Sequence, residues 1–393
     1  MGVQSGYIGE IIVKNERVKY KAEDISLSNI SYLDSITKLS LLTTLSAYKE
    51  AERMLVGERF EKLIDVSALE AFLSYVVNHP VFAPKRFNFD IAFGKNKKIE
   101  NNRIKDKLDP ESSSVLAFSG GIDSTAGLLY TLDHQINAMP FSLYMGQKNE
   151  KYEVIIIKNL LNKLKKRGYS VSFDISSQIE NGKTTWNYII PARNFIYLSF
   201  AAKLISSTEG LNKKIYLFAH KDEMNKVRNT DKSQYFLDQS AILFSQYYHG
   251  SYECVTPFKD VDKTQILSYW RRKWLRKYGI SPHDTTTCHE ARACGVCDGC
   301  LKRTISLLAA GFKEDLYLKN HPFSDKGSIL KNSWLPLIQK NSLSPVRLYD
   351  LLIALDSTDS AILAPHVSDL LRMKEPLMGK LKFRMKEIDE TKL

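Results

Sequence analysis

From Ser114 onward, short apolar runs alternate with longer amphipathic stretches. The runs are Val115–Phe118, Pro140–Tyr144, Ser170–Ile175, Lys214–Ala219 and Tyr252–Val255. Between them lie Thr125–Asp133, Lys151–Arg167, Ala192–Ser206, Ser233–His249 and Lys263–Tyr278. Brief apolar runs separated by helix-length segments predict strands buried in a parallel sheet. Right-handed crossovers then predict an α/β, doubly wound fold with a parallel five-stranded sheet. Ligands of such sheets bind beyond the carboxyl ends of the strands. Chemistry is therefore expected in the strand-to-helix loops.

The flanking regions follow other patterns. Ile8–Lys21 alternates loosely and predicts a strand pair. Ile36–Leu55 and Phe60–Val77 carry apolar residues at helical spacing (Leu39, Leu42, Leu45; Leu63, Val66, Leu69, Phe72). Phe87, Phe89, Ile91 and Phe93 alternate with polar or small residues, as in a strand. Residues 94–113 are polar, charged and free of aromatics, which marks a linker. Beyond residue 311, Leu348–Leu355 and Ser368–Met373 read as helices between prolines such as Pro336, Pro345 and Pro365. The expected organisation is an N-terminal α+β extension and linker over 1–110, a core over 111–310, and a helical extension over 311–393.

Composition narrows the class. With 44% hydrophobic and 25% charged residues, the chain is neither disordered nor fibrous. No apolar run is long enough to span a membrane and no secretory leader is visible, so a cytoplasmic protein with reduced thiols is expected. The net charge of +12 recurs in Lys95–Lys107, Lys158–Arg167 and Arg271–Lys277. A surplus of that size aids solubility and fits an anionic substrate or partner, without selecting one. Direct nucleic-acid binding is not expected from it.

Two motifs carry chemistry. The first strand runs into Ser119-Gly120-Gly121-Ile122-Asp123-Ser124-Thr125. Paired glycines let the backbone turn sharply and approach an anion. The helix that opens there aims its unpaired N–H groups at the same place. Ser119 and Ser124 add hydroxyls, and Asp123 can cap the helix or help hold magnesium. This is a phosphate cradle but not a Walker A loop, because no Lys-Ser/Thr follows the glycines. The second motif is Cys288, Cys294, Cys297 and Cys300. Four thiolates this close can close a tetrahedral zinc site with no open position, which makes the metal structural. An iron–sulfur cluster is the alternative, though the spacing departs from the ferredoxin runs. Gly295 and Gly299 supply the turns. The remaining cysteine, Cys254, sits in a predicted strand as a core residue.

The Ser119–Ser124 loop resembles that of the N-type ATP pyrophosphatases. Taken with three further segments, residues 114–305 resemble the QueC family of 7-cyano-7-deazaguanine synthases. Those segments are Tyr144-Met145-Gly146-Gln147, Ile190-Pro191-Ala192-Arg193-Asn194, and Cys294–Cys300 followed by Arg303. The resemblance implies an adenine nucleotide alpha hydrolase-like core that uses ATP, Mg2+ and a structural Zn2+. It implies nucleotide and substrate contacts from Ser119, Gly120, Gly121, Asp123, Ser124, Thr125, Gly146, Gln147, Arg193 and Asn194. Asp123, Ser124, Arg193 and Lys263 are the implied catalytic groups, Lys263 matching a family lysine in a similar place. The implied reaction adenylates the carboxylate of 7-carboxy-7-deazaguanine, after which an amine displaces AMP. The chain departs from the family at Lys148-Asn149, at Asn229–Ser233 and at Thr287-Cys288-His289. Its extensions also exceed the stand-alone enzyme. QueC-like proteins with such additions resemble components of the Qat and type IV CBASS anti-phage systems, which implies an amine on a partner protein as acceptor. The alternatives are ammonia, as in queuosine biosynthesis, and a tRNA-modifying reaction.

Overall fold

The computed structural model describes short segments before residue 113 (12–14, 17–20, 23–25, 36–37, 40, 53–56, 66–77 and 90–93). It then describes 113–143, 150–173, 192–208, 210–224, 230–248, 250–285, 288, 293–313, 318–327, 329–340 and 342–372. Strands β1 (Ile12–Lys14), β2 (Arg17–Tyr20) and β3 (Glu23–Ile25) form an antiparallel meander. Strand β4 (Arg53–Val56) precedes helix α1 (Val66–Val77) and pairs in parallel with β5 (Asp90–Phe93). Arg53–Val56 therefore corrects the end of the helix expected over Ile36–Leu55. Three-to-four spacing of leucines does not exclude a short strand when a parallel partner is available. The linker expected over 94–113 lies, but for its last residue, outside the described residues.

The alternating pattern from residue 114 is realised as β6 (Ser114–Ala117), α2 (Ile122–Asp133), β7 (Met139–Phe141), α3 (Glu150–Lys166), α4 (Arg193–Ser206), β8 (Asn212–Tyr216), α5 (Gln234–Tyr248) and β9 (Ser251–Val255). These strands form an all-parallel sheet in the order β7-β6-β8-β9. The fold class is α/β, with four strands among the described residues rather than five. Residues 170–173 of the missing run have no ladder partner, and 174–175 lie outside the described residues. The expected helix over Lys263–Tyr278 is divided into α6 (Lys263–Tyr269), a wide π-turn over Trp270–Trp274, and α7 (Leu275–Tyr278). Trp270, Trp274 and Tyr278 are fully buried on one face of this run. Helices α8 (Asp298–Ala309), α9 (Leu335–Gln339), α10 (Pro345–Asp356) and α11 (Pro365–Arg372) follow within the described residues. Among the described residues no helix is long and apolar enough to cross a membrane.

The chain forms two compact units, each threaded by separated segments. The sheet unit comprises residues 1–118, 130–148 and 172–259. Its core joins Val115, Phe141 and Ile215 of the sheet to Phe195 and Ile205 of α4 and to Phe236 and Phe244 of α5. Phe72 of α1 enters the same core, with its ring 5.4 Å from Phe195 and 6.0 Å from Phe236. Tyr75 and Ser233 share a 2.6 Å hydroxyl contact, so the N-terminal segment is built into this unit. Cys254 is buried in that core, and burial pushes its thiol well up, as expected of a core residue.

The second unit comprises 119–129, 149–171 and 260–393. Its helical core packs Leu301, Ile305 and Leu308 of α8 against Leu351 and Leu355 of α10, with Phe323, Trp334 and Val367. The phosphate loop, Lys263 and the cysteine cluster all belong to this second unit.

Candidate functional site

The phosphate loop is shaped by Gly120. Its φ of +69° is left-handed, and a Cβ there would lie 3.1 Å from Ile157 Cγ1 on α3. Only glycine adopts that turn without strain. The turn brings Ser119 and Ser124 together. The Ser119 amide donates to Ser124 Oγ at 3.2 Å, and the two hydroxyls lie 3.2 Å apart. Ser124 Oγ also donates to Gly121 O at 3.3 Å. These contacts are long, and both serines remain half-buried rather than enclosed. Thr125 is buried, and its amide is committed to Gly121 O.

Asp123 does not cap the helix through the loop. Its Oδ2 accepts from Lys263 Nζ at 2.9 Å, a contact spanning 140 positions of sequence. Its Oδ1 is buried and has no hydrogen-bond partner among the described residues. Lys263 is the first residue of α6, directly after Asp262. Asp262 accepts from Gln265 N at 2.9 Å, and Gln265 Oε1 accepts from Asp262 N at 2.9 Å. This capping box fixes where the helix begins, and so where Lys263 stands. The structure thus brings Asp123, Ser119, Ser124 and Lys263 into one constellation within the second unit.

Arg193 and Asn194 open α4 in the sheet unit. The preceding Ala192 is buried and left-handed, with φ 55° and ψ 22°. Asn194 is buried and donates to Asp231 Oδ2 twice, from its backbone N at 3.2 Å and from Nδ2 at 3.0 Å. Asp231 is a residue that sequence reasoning missed. Beside it, Thr230 and Ser233 are buried too. Thr230 Oγ1 donates to Val76 O at 3.1 Å, and Ser233 Oγ accepts from Phe236 N at 3.2 Å. Four consecutive polar residues before an apolar helix were the available signal for such a buried capping segment. Arg193 is half-buried, and its guanidinium has no ion-pair partner among the described residues. Gly146 and Gln147 lie outside the described residues.

The four cysteines converge as their spacing suggests. Their sulfurs all lie within 4.8 Å of one another, with Cys294 and Cys300 at 3.9 Å. A tetrahedron of ~2.3 Å zinc–sulfur bonds has S···S edges of about 3.8 Å, so this donor set fits zinc. Backbone amides of Cys294, Val296 and Cys300 point at the sulfurs of Cys288, Cys294 and Cys297, each at 3.4 Å. Cys297 caps α8, and the Cys300 thiol and amide hold its sulfur down to about 5, in reach of a thiolate. Hydrogen bonding to Cys297 pushes Cys300 up, and burial pushes Cys294 up. The cluster therefore holds one thiolate readily and would deprotonate fully with a cation. Gly295 has φ +76°, and a Cβ there would collide with Asn320 O. Gly299, expected in a turn, instead lies in the first turn of α8. Arg303 is buried with Nη1 on Thr285 Oγ1 (2.8 Å) and Nη2 on Pro282 O (2.7 Å), so it ties α8 to the preceding loop.

The sequence model of queuosine biosynthesis protein QueC matches residues 113–311 of this chain. Several 7-cyano-7-deazaguanine synthases are similar over that region. The protein from Picrophilus torridus is 27% identical over 230 residues, covering 53% of this chain and 92% of its own length. That from Vesicomyosocius okutanii is 29% identical over 226 residues, with 51% and 91% covered. That from Archaeoglobus fulgidus is 29% identical over 223 residues, with 52% and 89% covered. The match takes in the phosphate loop, Arg193, Lys263 and all four cysteines while leaving the extensions outside it, and on that ground the chain belongs to the QueC family.

Proposed function

We propose that this protein is an ATP-dependent carbon–nitrogen ligase that adenylates a deazaguanine carboxylate, 7-carboxy-7-deazaguanine, and passes the acyl group to an amine. The observation that carries this reading is the Lys263–Asp123 pair beside the Gly120 turn, in a chain of the QueC family. In the first half-reaction a carboxylate oxygen of the substrate attacks the α-phosphorus of ATP, and pyrophosphate departs. Ser119, Ser124 and the first amides of α2 would donate to the departing phosphates. Lys263 supplies a positive charge at the same place, where such preorganised donors act most strongly on a transition state. Asp123 Oδ1 is the group that would hold magnesium, whose charge would offset that of the triphosphate. Arg193, a planar cation at a helix start, needs an anion to offset the unfavourable helix dipole, which suits a phosphate or the carboxylate. Asn194 is held by Asp231 and sets the orientation of that helix start.

In the second half-reaction an amine nitrogen bonds to the acyl carbon, the carbon–oxygen bond to AMP breaks, and the amine releases a proton. The acceptor we favour is an amine on a partner protein, in an anti-phage defence setting. Support comes from the extensions: relatives matched over about nine-tenths of their length account for only about half of this chain. Ammonia, giving 7-cyano-7-deazaguanine after a second activation, is the alternative that the similar synthases suggest. The test is pyrophosphate release dependent on 7-carboxy-7-deazaguanine, followed by mass spectrometry of the products. A mass adduct on a co-purifying protein supports the first acceptor and a free nitrile the second. No substrate-dependent pyrophosphate with either acceptor overturns the function.

A further inference from the structure

The C-terminal extension lies beyond the family match, which ends at residue 311. It is nonetheless connected to the helix that carries Lys263. Thr264, the next residue of α6, donates from Oγ1 to Asp350 Oδ2 on α10 at 2.6 Å. A hydroxyl-to-carboxylate bond of that length is charge-assisted and among the stronger kinds. Both residues are half-buried, which limits competition from water. Helix α10 is itself a firm support. Ser344 caps it, Pro345 opens it, and Leu351 and Leu355 are fully buried against α8. The first turn of α6 is thus held twice, by its own Asp262–Gln265 box and by Asp350 from outside the family core. A carboxylate at a helix N-terminus is also favoured by the dipole.

We infer that Asp350 is a positioning residue for the phosphate-side lysine: through Thr264 it fixes the start of α6, so that Lys263 meets Asp123 and the bound triphosphate. The inference rests on the nucleotide role proposed for Lys263. It gives part of the C-terminal extension a share in ATP binding.

The experiment compares Asp350→Asn, Thr264→Val, Thr264→Ser and the Thr264→Val/Asp350→Asn double variant of the full chain. ATP affinity is measured by calorimetry, and KM for ATP and kcat by substrate-dependent pyrophosphate release. Thr264→Val, which removes the bond, and Asp350→Asn, which strips it of its charge, should each weaken ATP affinity and raise KM by about 5- to 10-fold. kcat should fall as well, by up to about the same factor, because the misplaced Lys263 also acts on the transition state. Thr264→Ser, which keeps the hydroxyl, should match the parent. The double variant should be no worse than either single one if the two residues act as a unit. Unchanged ATP affinity in Thr264→Val and Asp350→Asn, whatever their melting temperatures, would overturn the inference, as would additive losses in the double variant. If the parent binds ATP but releases no pyrophosphate, the proposed reaction fails, while the affinity comparison still decides the role of Asp350.

Discussion

The cysteine cluster and the phosphate loop are built alike and finished differently. Each turns on a left-handed glycine: at Gly295 (φ +76°) a Cβ would collide with Asn320 O, and at Gly120 (φ +69°) it would press on Ile157. Each places small polar side chains just before or within the first turn of a helix. In the cluster, the sulfurs face one another and three backbone amides face the sulfurs. In the loop, two serines make only long contacts, and one buried oxygen of Asp123 has no hydrogen-bond partner among the described residues. The closed arrangement has the four sulfur donors that a cation would complete. The open one leaves polar capacity for a ligand. Buried polar groups without partners are costly in a resting protein, so their location is informative about what is meant to arrive.

This contrast can be broken first at the cysteines, where the largest effect is expected. Cys300→Ser should abolish stoichiometric zinc, measured by elemental mass spectrometry. It should also lower stability by ~3 kcal/mol or more, because metal affinity is folding free energy here. That corresponds to a fall in melting temperature on the order of 10 °C. Chelation of the parent should reproduce it. A fully folded Cys300→Ser variant of parental melting temperature would sink the structural reading of the cluster.

The loop should show the reverse pattern. Lys263→Met should reduce substrate-dependent pyrophosphate release by roughly 10²- to 10³-fold, the usual consequence of removing a charge-stabilising donor. Its melting temperature should move little, because a partly exposed ion pair contributes only about 1 kcal/mol or less. If Lys263→Met destabilised the chain as much as Cys300→Ser, the loop would be a structural element too. Gly120→Ala separates backbone from side chain. It forces an L-residue into the left-handed region against Ile157, at a cost of about 1–2 kcal/mol. Activity should fall with it, since the turn sets where Ser119 and Ser124 meet.

These two sites were also the most legible parts of the sequence, because each is local. Ser119–Thr125 and Cys288–Cys300 carry their glycines, donors and spacing within a few residues. The parallel sheet was readable from the alternation of apolar runs and helical stretches. What sequence concealed was long-range. The partner of Asp123 lies 140 positions away, and Asp231 looks like any polar loop residue until Asn194 is seen to donate to it. Ser170–Ile175 has the composition of a strand, yet its described residues have no ladder partner. Arg53–Val56 sits in a run with helical spacing and becomes a strand because Asp90–Phe93 pairs with it. At Arg53–Val56 tertiary pairing outweighed the local preference.

Ala192 offers the smallest and most discriminating test. It occupies the same left-handed region as Gly120 and Gly295, but it is not glycine, and its Cβ is buried. An L-residue there is strained by about 1–2 kcal/mol. Glycine would remove that strain but would lose about 0.5–1 kcal/mol more in conformational entropy on folding. The balance predicts that Ala192→Gly raises stability by up to ~1 kcal/mol, a rise of roughly 2–4 °C in melting temperature. If stability rises and activity is unchanged, the strain at this turn is merely tolerated. If stability rises while KM for ATP or substrate worsens, the strained turn holds Arg193 and Asn194 in their working direction, as strain at functional sites can. If stability falls, packing of the Ala192 methyl outweighs its backbone cost. The contrast would then sharpen into a rule for this chain: left-handed turns that face a ligand or cation use glycine, and the one that opens a buried helix is held by its core.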